Sequence, residues 1–400
     1  MLDIWPPFPI SICVYNPKKW VEDNVIAALE HNDRICHILL SYIPSSGFQK
    51  ILAAMQKPCP ALTRLELEAS SRDEIESVVP ASFLGGSVPR VRTLFLQSIP
   101  FPGLPSLLLS ATHLVHLRLT SIPHSGYFSP EAMASCLSVL TRLEILTIRF
   151  EFTESRPDQN NRSPDLQAPI LLPVLTKLDF SGASEYLEVL VARIDAPLLD
   201  NLGAIFFHER IFNTPQLSRF IGRTPKFKPP EEAYVVFFDF QVLISLSQSS
   251  DGELCLGISC SQSDLQLSSM TQAYRSSFPQ SLISAVERLY ILEDVLWRPI
   301  WQDDIESRQW LELLHRFTTV KELYISREFV PRIAPALQLA EERTTALPAL
   351  RSLFLEETLP SEPVEEGIRH LVDARQRVGQ PIDVSRWEGK KTKWDETDDE

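Results

Sequence analysis

Residues 112–150, THLVHLRLTSIPHSGYFSPEAMASCLSVLTRLEILTIRF, contain one full turn of a pattern and the start of the next. Leu114, Leu117 and Leu119 are spaced as apolar, two variable, apolar, one variable, apolar, and Leu143, Leu146 and Ile148 repeat that spacing. The end of each set alternates in and out, as a short strand with one buried face does. Between the two sets, Met133, Cys136, Leu137 and Leu140 fall at i, i+3, i+4 and i+7, one face of a helix. Ser129 can cap that helix, with Pro130 at its first position and Glu131 favoured by the helix dipole.

Working outward, the same spacing recurs as Ile35-Ile38-Leu40, Leu62-Leu65-Leu67, Val91-Leu94-Leu96 and Leu175-Leu178-Phe180. It returns as Val286-Leu289-Ile291, Val320-Leu323-Ile325 and Leu350-Leu353-Leu355. Helical spacing also recurs, at Phe48-Ile51-Leu52-Met55, Leu187-Leu190-Val191-Ile194 and Trp310-Leu313-Leu314-Phe317. Segments 233–240 and 253–260 read as further strands without the full pattern. A strand and a helix alone cannot bury their apolar faces, whereas stacked copies bury them against one another. The expected fold is therefore α/β: an irregular leucine-rich-repeat-like solenoid, with a parallel sheet on its concave side and helices on its convex side. Regular repeats of this kind place Asn or Cys three residues after the third apolar position, to bond the turn backbone. Here Ser70, Ile99, Ile122 and Glu151 stand there, so the turns need another solution.

The expected organisation is a lead-in over 1–20, the repeat array over 21–387, a flexible polar insertion at 153–169 and a charged tail over 388–400. Lys+Arg 38 against Asp+Glu 52 gives net charge −14, which phosphate backbones repel, so no nucleic-acid partner is expected. Six cysteines without framework spacing point to reduced thiols in an intracellular protein, cytoplasmic or nuclear. No run of 18 apolar residues occurs, so no membrane partner is expected either.

The stretches FLGGSVPRVRTLFL (83–96), IPFPGLPSLLLSATHLVHLRL (99–119), ARIDAPLLDNL (192–202) and LPALRSLFLEE (347–357) resemble fungal F-box-like proteins with leucine-rich repeats. Others, IPHSGYFSPEAMASCLSVLTRLEIL (122–146) and WQDDIESRQWLELLHRFTTVKELYISREFVPRIAPAL (301–337), extend the resemblance over most of the chain after about residue 20. The resemblance implies a repeat array that holds a protein substrate. It also implies binding to the adaptor of an SCF-type ubiquitin ligase, wherever an F-box precedes the repeats. Residues 1–20 read as the approach to the repeats rather than as an F-box, so either an F-box lies upstream of Met1 or this member has lost it, and adaptor binding is expected only in the first case.

Catalytic, cofactor and metal sites are not expected. His113, His116 and His124 read as surface or turn histidines, and Cys255 and Cys260 as strand residues on opposite faces, Cys260 in the core. Gly85-Gly86 leads into a strand, not the helix a phosphate loop requires. Asp303, Asp304 and Glu306 suit a helix N-terminus.

Residues between the buried aliphatics should share one surface, and these are the binding candidates. They are Arg64, Glu66, Phe95, His116, Arg118, Arg149, Lys177 and Asp179, then Arg288, Tyr290, Glu322, Tyr324, Phe354 and Glu356. Tyr324→Ala is expected to leave stability nearly unchanged. The expected function is a non-catalytic protein-binding scaffold. Alternatives are a structural or sensor solenoid without a ligase link, and an enzyme with an unrecognised site in 203–280.

Overall fold

The computed structural model describes residues 8–15, 21–69, 78–80, 82–151, 168–209, 211–247, 252–260, 263–294, 307–326, 329–343, 346–356, 362–377 and 379–387. The insertion read at 153–169 lies outside them except for its last two residues. The charged tail and the Asp303-Asp304-Glu306 group lie outside them entirely. The chain forms two compact units, Met1–Phe207 with Thr214–Lys226, and His208–Asn213 with Phe227–Glu400.

The first unit runs β1 (Ile10–Tyr15), α1 (Glu22–Leu29), β2 (Ile35–Ile43), α2 (Ser45–Ala54), β3 (Arg64–Ala69), β4 (Thr93–Gln97) and α3 (Leu104–Ser110). It continues with β5 (His116–Ile122), α4 (Pro130–Leu137), β6 (Ile145–Phe150), β7 (Ile170–Leu171), β8 (Lys177–Gly182) and α5 (Ser184–Val191). It ends with β9 (Ile194–Asp195), β10 (Asn201–Phe207) and α6 (Pro215–Arg223). Strands β1-β2-β3-β4-β5-β6-β8-β10 pair in that order, all parallel. The short β7 pairs with β9 separately.

Register explains why the apolar spacing repeats. Ile12, Ile38, Leu65, Leu94, Leu117, Leu146, Leu178 and Leu202 are successive partners across eight strands. All are buried, none more than 6% exposed. A second row of Val14, Leu40, Leu67, Leu96, Leu119, Ile148, Phe180 and Ala204 runs beside it in the same register. The first apolar residue of each set, such as Leu62, Val91, Leu114, Leu143 and Leu175, is buried just ahead of its strand. The helical faces read from sequence are buried too: Phe48, Ile51 and Leu52 on α2, Met133, Cys136 and Leu137 on α4, Leu187, Leu190 and Val191 on α5. Right-handed crossovers put such connecting helices on one side of the sheet, where they meet the aliphatic rows. The α4 start forms as its sequence dictates, with the Ala132 amide donating to Ser129 Oγ at 3.1 Å and Pro130 at the first position.

The turns after the strands have their own solution. Tyr42, Ser98 and Ser121, each two residues past the third apolar position, have φ of 54°, 56° and 48°. This left-handed residue swings the next side chain inward, so Ile43, Ile99 and Ile122 are buried where a regular repeat would place Asn or Cys. The backbone remains bonded: the Ser98 amide donates to Thr120 O at 3.1 Å, and the Glu151 amide to Ile122 O at 3.0 Å.

The second unit runs β11 (Glu232–Phe237), β12 (Gln241–Ser247), β13 (Glu253–Ser259), α7 (Ser263–Ser277), α8 (Gln280–Ile283) and β14 (Arg288–Glu293). It closes with α9 (Ser307–Leu314), β15 (Glu322–Ile325), α10 (Val330–Arg343), β16 (Ser352–Glu356), α11 (Glu362–Arg377) and β17 (Asp383–Trp387). Its strand order is β13-β12-β11-β14-β15-β16-β17. Strands β11, β14, β15, β16 and β17 are parallel, and Ala233, Leu289, Leu323 and Leu353 continue the buried aliphatic row in register, with their partner Val384 exposed at its end.

The expectation of a wholly parallel sheet is corrected here. Strand β12 stands between the two strands read at 233–240 and 253–260, and β11, β12 and β13 run antiparallel. Phe238, Asp239 and Phe240 alone join β11 to β12. Three residues cannot make a parallel crossover, which needs a dozen or more, so the chain must turn back. The fold is thus mixed α/β with a large, mostly parallel sheet.

Two measurements test these constraints. Leu94→Asp is expected to cost more than about 4 kcal/mol and unfold the first unit, because it buries an unpaired carboxylate; denaturant titration reads this. Ser121→Val should cost about 1–2 kcal/mol, and Ser121→Gly should cost nothing or stabilise slightly, since any Cβ resists a positive φ, a β-branched one most, and glycine does not.

Candidate protein-binding faces

On the first unit, the residues between the buried aliphatics occupy the side of the sheet away from the aliphatic rows. Glu66, Phe95, Arg118, Thr147, Asp179 and Gly203 are register partners in one row. Arg64, Thr93, His116, Ile145, Lys177 and Asn201 form the row beside it. Seven of the first-unit candidates therefore fall into two adjacent rows. Arg149 lies one step further along, opposite Ser181. Arg64, Arg118 and Arg149 are exposed, and the others are partly exposed.

This face is polar and partly self-satisfied. Arg64 pairs with Glu66, and Lys177 Nζ lies 3.4 Å from Asp179 Oδ2. Gln97 donates to Glu68 at 3.1 Å and accepts from the Thr120 hydroxyl at 3.3 Å. Gly203 leaves room for Asp179: a Cβ there would sit 2.7 Å from its Oδ1. A groove of about 540 Å³ crosses β4, β5, β6 and β8, lined by Phe95, Arg118, Thr147, Arg149 and Lys177 among others. Sequence reading missed Gln97, Thr120 and Ser181, which line it too. They stand one residue past the third apolar position, the place that Arg149 holds on β6.

On the second unit the corresponding face is aromatic. Tyr234, Tyr290, Tyr324 and Phe354 are register partners on β11, β14, β15 and β16. Their rings stack with centroids 4.6, 4.4 and 4.4 Å apart and planes within 14° of parallel. Neighbouring strands lie about 4.8 Å apart, so identical register positions deliver rings at stacking distance. Trp387 of β17 meets the stack edge-on, 5.4 Å from Tyr324 and 6.4 Å from Tyr290. Sequence reading found Tyr290, Tyr324 and Phe354. It missed Tyr234, whose strand lacks the full pattern, and Trp387, whose strand has no leading leucine.

A charged row flanks the stack, with Glu232, Arg288 and Glu322 as register partners. Arg288 Nε donates to Glu232 at 2.9 Å, and its terminal nitrogen reaches Glu231 at 3.3 Å. The Tyr234 hydroxyl donates to Glu232, and the Tyr324 hydroxyl to Glu322 at 3.0 Å. Burial, then the hydrogen bond to the neighbouring glutamate, pushes both hydroxyls above the ordinary tyrosine range. They stay protonated donors at neutral pH. Glu356 is partly exposed opposite Trp387.

Tyr290 is not a surface residue: between its two neighbours it is 5% exposed. The expectation that Tyr324→Ala spares stability is likewise corrected, because that ring is held on both sides.

Other candidates resolve into local structure. His113 Nδ1 lies 2.9 Å from Pro89 O. His124 begins a short turn, and Gly85 and Gly86 have positive φ in another. Among the described residues no group of three His, Cys, Asp or Glu side chains is placed to hold a metal. Cys260 is buried and Cys255 partly exposed. Burial pushes the Cys59 and Cys136 thiols up to about 11. Within 203–280, His208 Nδ1 lies 2.9 Å from Ser269 Oγ, a hydroxyl 2% exposed. Among the described residues no helix is long and apolar enough to cross a membrane.

No protein-family model matches the chain. No curated protein matches it. Among solved structures, the leucine-rich-repeat-containing protein LegL7 from Legionella pneumophila is similar over 91% of this chain and 97% of its own, at 14% identity and a TM-score of 0.33.

Removing Tyr324 should reveal the stack energetically. Tyr324→Ala is expected to cost about 1–3 kcal/mol for three lost ring pairs, while Tyr324→Phe, which keeps the ring and loses only the hydrogen bonding of its hydroxyl, costs about 1 kcal/mol or less. Equal losses in denaturant titrations would mean the hydrogen bond, not the stack, holds this face.

Proposed function

We propose that the protein is a non-catalytic scaffold that captures another protein on its open sheet faces, each unit being built as a leucine-rich-repeat-like solenoid with the sheet on the concave side. The observation that carries this is register. Buried aliphatics fix every second strand position, so the side chains between them stand in ordered rows on a rigid sheet. Such rows need little further ordering on binding, which lowers the entropic cost of association. Partly exposed aromatic rings beside charged groups, as on the second unit, are the composition of interface anchors.

The resemblance to fungal F-box-like proteins extends this reading to the substrate-recognition part of an F-box-type ubiquitin-ligase receptor in an intracellular compartment. Binding of the SCF adaptor, assayed with this chain and with any version extended upstream of Met1, tests that extension separately.

A photo-crosslinking amino acid tests the scaffold reading. Placed at Arg118 or Phe354 on the open faces, it should capture a defined partner. Placed at Leu109, which is 50% exposed on α3, it should not. Equal capture from all three positions would show that the open faces have no special role.

A further inference from the structure

The aromatic stack of the second unit stops one strand short of the sheet edge. Tyr290 has a ring on each side, whereas Phe354 has Tyr324 at 4.4 Å on one side and, as its register partner on β17, Ser385 on the other. A serine leaves empty the space a fifth ring would take, so the outer face of Phe354 looks into a slot above Ser385. Phe354 is accordingly partly exposed and Ser385 exposed, while Tyr290 is covered. Trp387, two residues on from Ser385, leans back to meet Tyr324 edge-on at 5.4 Å and bounds one end of the slot. Asp383, two residues before Ser385 and on the same face of the strand, stands exposed at the other end.

Width and charge both select a guanidinium. The slot is one strand spacing across, about 4.8 Å, which admits a flat group against Phe354 and not a thicker one. The row beside the stack carries the carboxylates of Glu253, Glu232, Glu322 and Asp383, with Arg288 as its one cation. Arg288 is already bonded to Glu232 and Glu231. An arriving cation therefore meets carboxylates. A guanidinium is planar, stacks on a ring face and gives a carboxylate two N–H bonds at once, whereas a lysine ammonium is a hydrated point charge.

The sheet edge indicates what carries that guanidinium. Strand β17 is last in the strand order, so no described strand pairs with its outer edge. On its other face Val384 ends the buried aliphatic row and is 41% exposed. An extended segment along this edge would bond its backbone to β17, cover Val384 with one side chain and reach Phe354 with the next.

We propose that β17 and the end of the stack form an arginine-recognition site for an extended segment of the captured protein. The guanidinium seats on Phe354 above Ser385 and bonds Asp383. This rests on the scaffold reading and adds the chemistry of the partner. Free arginine is disfavoured, because its own carboxylate would be repelled by Glu322 and Asp383 and it offers no backbone to the edge of β17.

The test uses the full chain and saturation-transfer NMR observed on the ligand, which reads weak binding, with the blocked peptide acetyl-Ser-Val-Arg-Val-Ser-amide. Its twins carry lysine, citrulline (the neutral counterpart of arginine) or phenylalanine at the centre, and free arginine is the competitor. The arginine peptide is expected to bind about fivefold more tightly than each twin and than free arginine. Asp383→Asn should weaken it about threefold. Ser385→Phe, which supplies the fifth ring, should abolish it with no fall in melting temperature, and Glu366→Gln on α11 should change nothing. Equal binding of the lysine peptide would make this a diffuse acidic patch, and equal binding of the phenylalanine peptide a slot for rings. Either result overturns the proposal, as does full binding by Asp383→Asn or Ser385→Phe, or free arginine competing as tightly as the peptide. Binding seen only when the chain is cut after Trp387 also overturns it, since the lysines of residues 388–400 would then be the occupant. Capture of a defined partner from Phe354 without arginine preference sinks this site alone. Arginine preference without capture from Phe354 or Arg118 sinks the scaffold reading alone.

Discussion

A single strand of this protein has an apolar face of two or three aliphatic side chains and cannot keep it from water by itself. Burying it requires an identical face on each side and a helix above, and that requirement determines most of the architecture. Ile12, Ile38, Leu65, Leu94, Leu117, Leu146, Leu178 and Leu202 form one unbroken row because each strand is in register with the next. A slip of one residue would turn every leucine of a strand outward and every arginine inward. Register is therefore held by the core, and the opposite face inherits it.

That inheritance separates binding chemistry from folding. On the first unit the inherited rows carry charges and hydroxyls, several already paired, as with Lys177 and Asp179. On the second unit they carry four rings at 4.4 to 4.6 Å. The ring spacing is the strand spacing, so the stack follows from placing an aromatic residue at the same register position four times. It stabilises its own unit while offering Tyr324, Phe354 and Trp387 at a partly exposed surface.

Departures from regular repetition have local causes. Where a repeat would use Asn or Cys to bond its turn, this chain uses left-handed Tyr42, Ser98 and Ser121 and buries an isoleucine after each. Backbone strain there is offset by one more aliphatic contact per turn. The β11–β13 meander arises because its first connection is too short to cross over.

The leucine spacing by itself determined the strand positions, the helices whose apolar period is complete, the cap at Ser129 and the parallel pairing of most strands. These are local or periodic properties, and a periodic pattern has few ways to bury itself. The spacing also placed Arg64, Glu66, Phe95, Arg118, Lys177 and Asp179 on one surface, because alternation along a strand needs no knowledge of neighbours. Only the tertiary structure decided that Tyr290 is covered by rings on both sides, that Tyr234 and Trp387 join them, and that Arg90, Arg92, His113 and Arg142 share one cleft. Which residues meet across strands depends on pairing partners, register and connection length. Those are fixed by the simultaneous burial of residues far apart in the chain, which no local spacing encodes.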